Sequence, residues 1–142
     1  MPAPDMGLRG MTATADVLHQ DKALSGCFIV NTHSHYDLIL EEEDALMLGL
    51  TCSNHGHHCV YIDGDRVPVV EYLPVTLTVK LSNGDLATAH VSPVSFARRE
   101  VEKKREDVVS VQLRVIGGGA LQRLGLRQDH SAHVLVPLSK RA

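Results

Sequence analysis

Asn31-Thr32-His33-Ser34-His35-Tyr36-Asp37 gathers a carboxamide, two imidazoles, three hydroxyls and a carboxylate within seven residues, directly after the apolar run Cys27-Phe28-Ile29-Val30. An apolar run of that length bounded by polar turn residues reads as a buried strand that delivers those groups at its end. A second constellation is Cys52-Ser53-Asn54-His55-Gly56-His57-His58-Cys59. Thiolate and imidazole are the ligand types of zinc, and structural zinc takes four of them in a tetrahedron. Cys52 and Cys59 with two of His55, His57 and His58 are therefore a candidate zinc site, and His33 and His35 could join from the neighbouring strand end. The bland alternative is an exposed polar loop, with Cys59 opening a strand as a small buried hydrophobe. The spacing matches no zinc-finger pattern, so both readings stand. The remaining histidines, His19, His90, His130 and His133, are scattered and read as surface or strand residues.

The elements that must position these groups are mostly β. Residues 11–19 can form an edge strand, 27–30 a buried strand, 31–34 a turn and Leu38-Ile39-Leu40 a second apolar strand. Glu41 to Leu48 reads as a short helix whose acidic first turn suits the positive end of the helix dipole, with Gly49 as C-cap. From Cys59 onward the pattern is strand. Val60 to Ile62 and Val67 to Val70 flank the loop Asp63-Gly64-Asp65-Arg66 as a hairpin. Val75 to Leu81 alternates, Asn83-Gly84 is a hairpin signal, and Leu86 to Val94 is the return strand. The charge run 97–107 reads as a solvated loop or short surface helix. Val108 to Ile116 is a further strand, Ala120 to Leu124 a short helix ended by Gly125, and Val134 to Val136 a last strand. Strand, turn, helix and Leu-Gly-Leu occur at 27–50 and again at 111–126, which suggests an internal pseudo-symmetry.

The 142 residues fit one domain, expected over 11–138 between tails at 1–10 and 139–142. Tryptophan is absent and aromatics are few, so Val, Leu and Ile must fill the core. A net charge of −3 gives no electrostatic case for nucleic acid, whose binding rests on dense Lys/Arg contacts to phosphate. No run approaches the ~18 apolar residues of a membrane span, and residues 1–10 lack the apolar stretch of a signal peptide. Three cysteines do not make a disulfide framework; the expected compartment is reducing and cytoplasmic.

Taken together, the blocks resemble the retropepsin-like aspartic peptidases. That family has an apolar strand, Asp-Thr/Ser-Gly-Ala/Ser, an apolar strand, a helix and Leu-Gly-Leu; here stand Phe28-Ile29-Val30-Asn31-Thr32-His33-Ser34, Leu38-Ile39-Leu40 and Asp44 to Leu50. Its later block, two apolar residues and Gly, a short helix, Leu-Gly-Leu, Asp and a closing strand, is similar to Val115-Ile116-Gly117 through Leu126, Asp129 and Leu135-Val136-Pro137. The resemblance covers roughly 12–138 and implies an all-β fold, a closed β-barrel lobe with one or two short helices, paired as a homodimer. It implies a cleft that binds an extended peptide or protein substrate without a cofactor, covered by a flap from Tyr61 to Val70 that includes Ile62, Asp63, Gly64 and Asp65.

The departure falls on the chemistry. Asn31 stands where the family has its catalytic Asp, followed by Thr32, and His33 stands where it has Gly. Each lobe of such a dimer supplies one carboxylate, and the two share a proton because like charges so close cannot both ionise. An amide cannot act as that base, so aspartic-peptidase activity is expected to be weak or absent. Asn31 fits either natural divergence or a laboratory Asp→Asn change, and His33 favours divergence. Ile29 to Asp37 also resembles the metallo-β-lactamase metal motif, without its final His, since Leu38 follows. The rival functions are therefore a metal-binding protein or metal-dependent hydrolase, and a non-catalytic peptide-binding module.

Overall fold

The computed structural model describes residues 11–62, 64–96, 114–129 and 134–138. The expected tails, the charge run 97–107, the strand from 108 up to 113, Asp63, His130 and His133 lie outside the described residues.

Eleven strands and two short helices follow in chain order: β1 (Thr12–His19), β2 (Lys22–Asn31), β3 (Leu38–Leu40), α1 (Glu42–Leu48), β4 (Cys52–Ile62), β5 (Asp65–Tyr72), β6 (Val75–Lys80), β7 (Leu86–Val91), β8 (Pro93–Phe96), β9 (Val115–Gly117), α2 (Gly118–Leu124), β10 (Leu126–Asp129) and β11 (Val134–Pro137). Nine strands make one sheet in the order β4-β5-β8-β3-β9-β2-β1-β6-β7, which curls into a half-barrel; β10 and β11 pair separately.

The core is aliphatic, as the composition requires. Ala13, Ala15 and Val17 alternate inward on β1, and Val75, Leu77 and Val79 do so on β6. Phe28 and Val30 of β2, Leu38 and Leu40 of β3, and Ile116 of β9 complete its centre with almost no exposed surface. Such alternation, period two along each strand, puts one face of a sheet on the core. It also fixes the register, because a one-residue slip would turn every apolar side chain outward.

Four sequence expectations change. β1 is not an edge strand: it lies between β2 and β6. Its exposed positions look like an edge because only one of its faces is buried. β2 starts five residues before the apolar run, at Lys22, through a tight turn in which Gln20 takes φ 57°. The expected return strand Leu86 to Val94 breaks at Ser92: β7 pairs with β6, whereas β8 pairs with β3 and β5. Cys52 to His58 belongs to a strand rather than a loop. It pairs irregularly with β5, since Cys52 faces Tyr72 and His57 faces Val70. Residues 53–56 thus stand opposite Glu71 alone, a wide bulge on an outer strand, where bulges are common and blunt a free edge.

Both helices are as the sequence places them, although α2 begins two residues early, at Gly118. Each ends at a glycine in the left-handed region, Gly49 at φ 68° and Gly125 at φ 74°, the conformation that terminates helices and that a Cβ disfavours. The two Leu-Gly-Leu segments therefore carry the same local structure. α1 opens on a capping box, in which the Glu41 carboxylate accepts from the Asp44 backbone N–H and the Asp44 carboxylate accepts from the Glu41 N–H.

Candidate functional site

The placement of Asn31 follows from how three strands are threaded. β9 lies between β2 and β3, parallel to the first (Asn31 opposite Gly117) and antiparallel to the second (Leu38 opposite Ile116). The chain leaving β2 at Asn31 must therefore cross the end of β9 before returning as β3, and β9 runs beneath that crossing into α2. The crossing is tight. The Gly117 N–H donates to the Asp37 carbonyl at 2.8 Å. A Cβ on Gly118 would lie 2.7 Å from the Thr32 carbonyl oxygen, one on Gly117 would run into the Tyr36 carbonyl, and one on Gly119 into the Asp37 carboxylate. The run Gly117-Gly118-Gly119 is the condition for the loop to sit where it does.

The turn is held by its own polar atoms. Asn31 Oδ1 accepts from the His33 N–H at 3.0 Å, and the Asn31 carbonyl accepts from the Ser34 N–H at 3.1 Å. This is the local side-chain-to-backbone closure that Asn and Asp favour in turns. The Ser34 hydroxyl accepts from the Tyr36 N–H and donates to the Tyr36 carbonyl, both at 3.2 Å. Asn31, Thr32, His33 and His35 are exposed, whereas Tyr36 and Asp37 are half-buried. His33 occupies its position without a positive φ; among the described residues Gln20 is the non-glycine residue that has one. His33 therefore carries no left-handed backbone strain.

Tyr36 joins the turn to the β4–β5 hairpin. Its hydroxyl lies 2.9 Å from His58 Nε2, its ring stacks on the His58 ring with centroids 5.9 Å apart, and it meets Phe96 edge-on. Burial, and after it the negative charge of Glu71, raises the Tyr36 phenol above its ordinary pKa. The β4–β5 hairpin forms, and it rests on the turn through His58. Near the tip, Tyr61 is exposed and Gly64 takes φ 85°. The side chains of Ile62, Asp65 and His55 lie outside what is described.

Beside the turn is an open groove of about 490 Å³. His35, Tyr36, Asp37, Glu71, His90 and Arg123 are among the residues that line it. Arg123 Nε donates to Asp37 Oδ2 at 3.2 Å in an exposed pair. Behind the turn, Arg114 makes a bidentate pair with Asp44, Nε to Oδ2 at 2.9 Å and Nη2 to Oδ1 at 2.8 Å, and both side chains are largely buried. Sequence reasoning missed Tyr36, Arg114 and Arg123, whose partners lie far away along the chain; only the adjacency of Arg114 to Val115-Ile116-Gly117 hinted at a role.

The candidate metal ligands are only partly brought together. Cys52 Sγ lies 3.9 Å from His57 Nε2. Cys59 faces Pro68, four residues from Tyr72, which is about 13 Å along a strand. Two sulfurs on one tetrahedral zinc lie about 3.8 Å apart, so this register splits the expected Cys52–Cys59 clamp. His58 turns to Tyr36 and His35 to the groove. Among the described residues, no three His, Cys, Asp or Glu side chains gather to hold one ion.

Comparison of the chain with family models, curated proteins and solved structures gives no significant match.

Proposed function

We propose that the chain is one half of a twofold dimer that binds an extended peptide in a cleft between the copies. On this reading it is a retropepsin-like, closed-barrel lobe, catalytically impaired because Asn31 lacks a carboxylate. The observation that carries the reading is the crossing of residues 32–37 over β9. It holds Asn31 and Thr32 on an exposed, glycine-backed ledge, with a β-hairpin docked beside it through Tyr36 and His58. An exposed turn built so rigidly is suited to meet its own symmetry mate, since a twofold axis places identical groups opposite each other. The hairpin and the free strand edges then offer main-chain hydrogen bonds to an extended segment.

The test is a Thr32→Cys variant. If the two turns meet at the axis, mild oxidation yields a dimer linked through position 32 on both chains, identified by peptide mapping, because bridging requires Cα atoms within about 7 Å. Sedimentation of the parent protein then shows a dimer at micromolar concentration. A monomer by sedimentation, with no linkage at position 32, would exclude the reading.

A further inference from the structure

The groove of about 490 Å³ beside the turn holds three charged side chains, Asp37, Glu71 and Arg123. They arrive on separate elements, the crossing loop, β5 and α2, so no charge pattern marks them in the sequence. Asp37 is already paired, since Arg123 Nε donates to its Oδ2 at 3.2 Å. The Glu71 carboxylate makes no hydrogen bond or ion pair with any described residue. It is nevertheless half-buried, and it lies close enough to Tyr36 for its charge to act on the phenol. With Asp37 and Arg123 cancelling each other, the groove is left with the negative charge of Glu71.

A carboxylate so placed favours an incoming cation. Burial has already removed part of its hydration, and the lower local dielectric strengthens its attraction to a positive charge. The groove also has apolar lining. Val94 of β8 stands directly opposite Glu71 in the sheet, and Pro74 and Val91 line the groove as well. An aliphatic stem can lie along such atoms while its charged end reaches the carboxylate, which is how lysine and arginine side chains settle on mixed surfaces. An acidic side chain would instead meet the charge of Glu71. We propose that the groove receives a lysine or arginine side chain of the bound peptide, and that Glu71 selects it. The inference rests on the peptide-binding reading. Residues 35–37 of the groove belong to the same crossing loop as the exposed ledge at Asn31 and Thr32, so an extended segment on the ledge passes within reach of it.

The experiment titrates the full chain with N-acetyl-arginine amide and N-acetyl-lysine amide, followed by amide NMR signals, with N-acetyl-citrulline amide as the uncharged isostere. His35 and His90 also line the groove, so the titration is run near pH 8, above the ordinary imidazole range. Saturable shifts are expected with the cationic ligands at 35–37, 71, 90–92, 94 and 123. The citrulline compound should bind at least about tenfold more weakly, the scale of a hydrogen bond to a charged group. Glu71→Gln should weaken the cationic ligands by a similar factor, while Asp21→Asn, in the exposed β1–β2 turn, leaves them unchanged; the unperturbed signals of each variant report that it is folded. No saturable shift, equal binding of the citrulline compound, or undiminished binding by Glu71→Gln would each overturn the pocket. The same shifts on concentrating the chain without ligand would mean that a second copy fills the groove, and would overturn the assignment to a peptide. Capped amino acids need no dimer. Failure here with linkage at position 32 would therefore strike the pocket and leave the dimer, whereas binding here without that linkage would keep the pocket and remove the dimer.

Discussion

At the scale of residues, the proposed reading makes position 31 decide the chemistry and position 33 tune it. The Asn31 amide oxygen already accepts the His33 N–H, a bond that a carboxylate would make at least as well. Asn31→Asp should therefore keep the turn and, in the proposed dimer, place two carboxylates near the axis. A His33 imidazolium beside them would favour both as anions, lower the pKa of the shared proton and weaken the general-acid step. Asn31→Asp alone is expected to cleave an unfolded protein substrate only feebly between about pH 4 and 7. Adding His33→Gly should raise the rate within the ~10²–10⁴-fold range of acid–base catalysis. Full activity of the single variant would show His33 to be neutral, and an inert but dimeric double variant would leave binding as the function. Tyr36 gives a second prediction. Because burial holds its phenol above the ordinary 10.0, the folded chain keeps a proton that the unfolded chain releases. That contribution to stability is complete below about pH 10 and declines as pH climbs through the folded pKa. Urea unfolding should show Tyr36→Phe to be weaker at pH 7 by about 1 kcal/mol, the worth of a hydrogen bond, yet to lose less stability than the parent toward about pH 11.

At the scale of elements, the crossing over β9 depends on small residues. At Gly118 a methyl group would meet the Thr32 carbonyl at 2.7 Å, and neither partner is a flexible side-chain end. Gly118→Ala should destabilise by about 1–3 kcal/mol, the usual cost of overpacking. It should also shift the amide signals of 31–37, because the crossing loop must lift. An alanine tolerated there without change in melting or in those signals would mean that the loop is looser than its contacts imply. This part of the site was half legible. Gly117-Gly118-Gly119 stands out in the sequence, but as a turn; that the glycines admit a second segment of chain shows only when β2, β3 and β9 are assembled. The helices were more legible, because an acidic first turn and a closing glycine are local signals. The split of β7 from β8 was not, since both halves carry the same strand pattern and only partner choice separates them.

At the scale of the whole molecule, Arg114 and Asp44, 70 residues apart in sequence, clamp the start of β9 to α1. Arg114 leads into β9, and its guanidinium passes the open side of Gly26 on β2 to reach the first turn of α1, where Asp44 also caps the helix. The hydrogen bonds that Arg114 donates to the Asp44 carboxylate raise the Arg114 pKa against the opposing effect of burial, so the guanidinium stays charged. Removing one partner leaves an uncompensated, mostly buried charge. Arg114→Met should therefore lower the unfolding free energy by about 3–5 kcal/mol, read from denaturant midpoints, and Asp44→Leu added to it should recover part of that loss. A loss below about 1 kcal/mol, the size typical of exposed pairs, would show that solvent reaches this clamp.

The sequence by itself determined that the chain is mostly β, that its core is aliphatic, and that two short helices end at Gly49 and Gly125. Those properties rest on local composition and periodicity, which act over a few residues. It also placed Asn31 at the end of a buried strand, because the change from Phe28-Ile29-Val30 to polar residues is abrupt. Tertiary structure alone decided which groups meet: Tyr36 with His58, Arg114 with Asp44, Arg123 with Asp37, and Cys52 with His57 rather than with Cys59. Each of these contacts depends on strand register or on a bulge, and register is set by burial of whole faces across distant segments. Residues 52–59 carry the same ligand types in either description. Only the pairing with β5 fixes that Cys59 lies too far from Cys52 to share an ion.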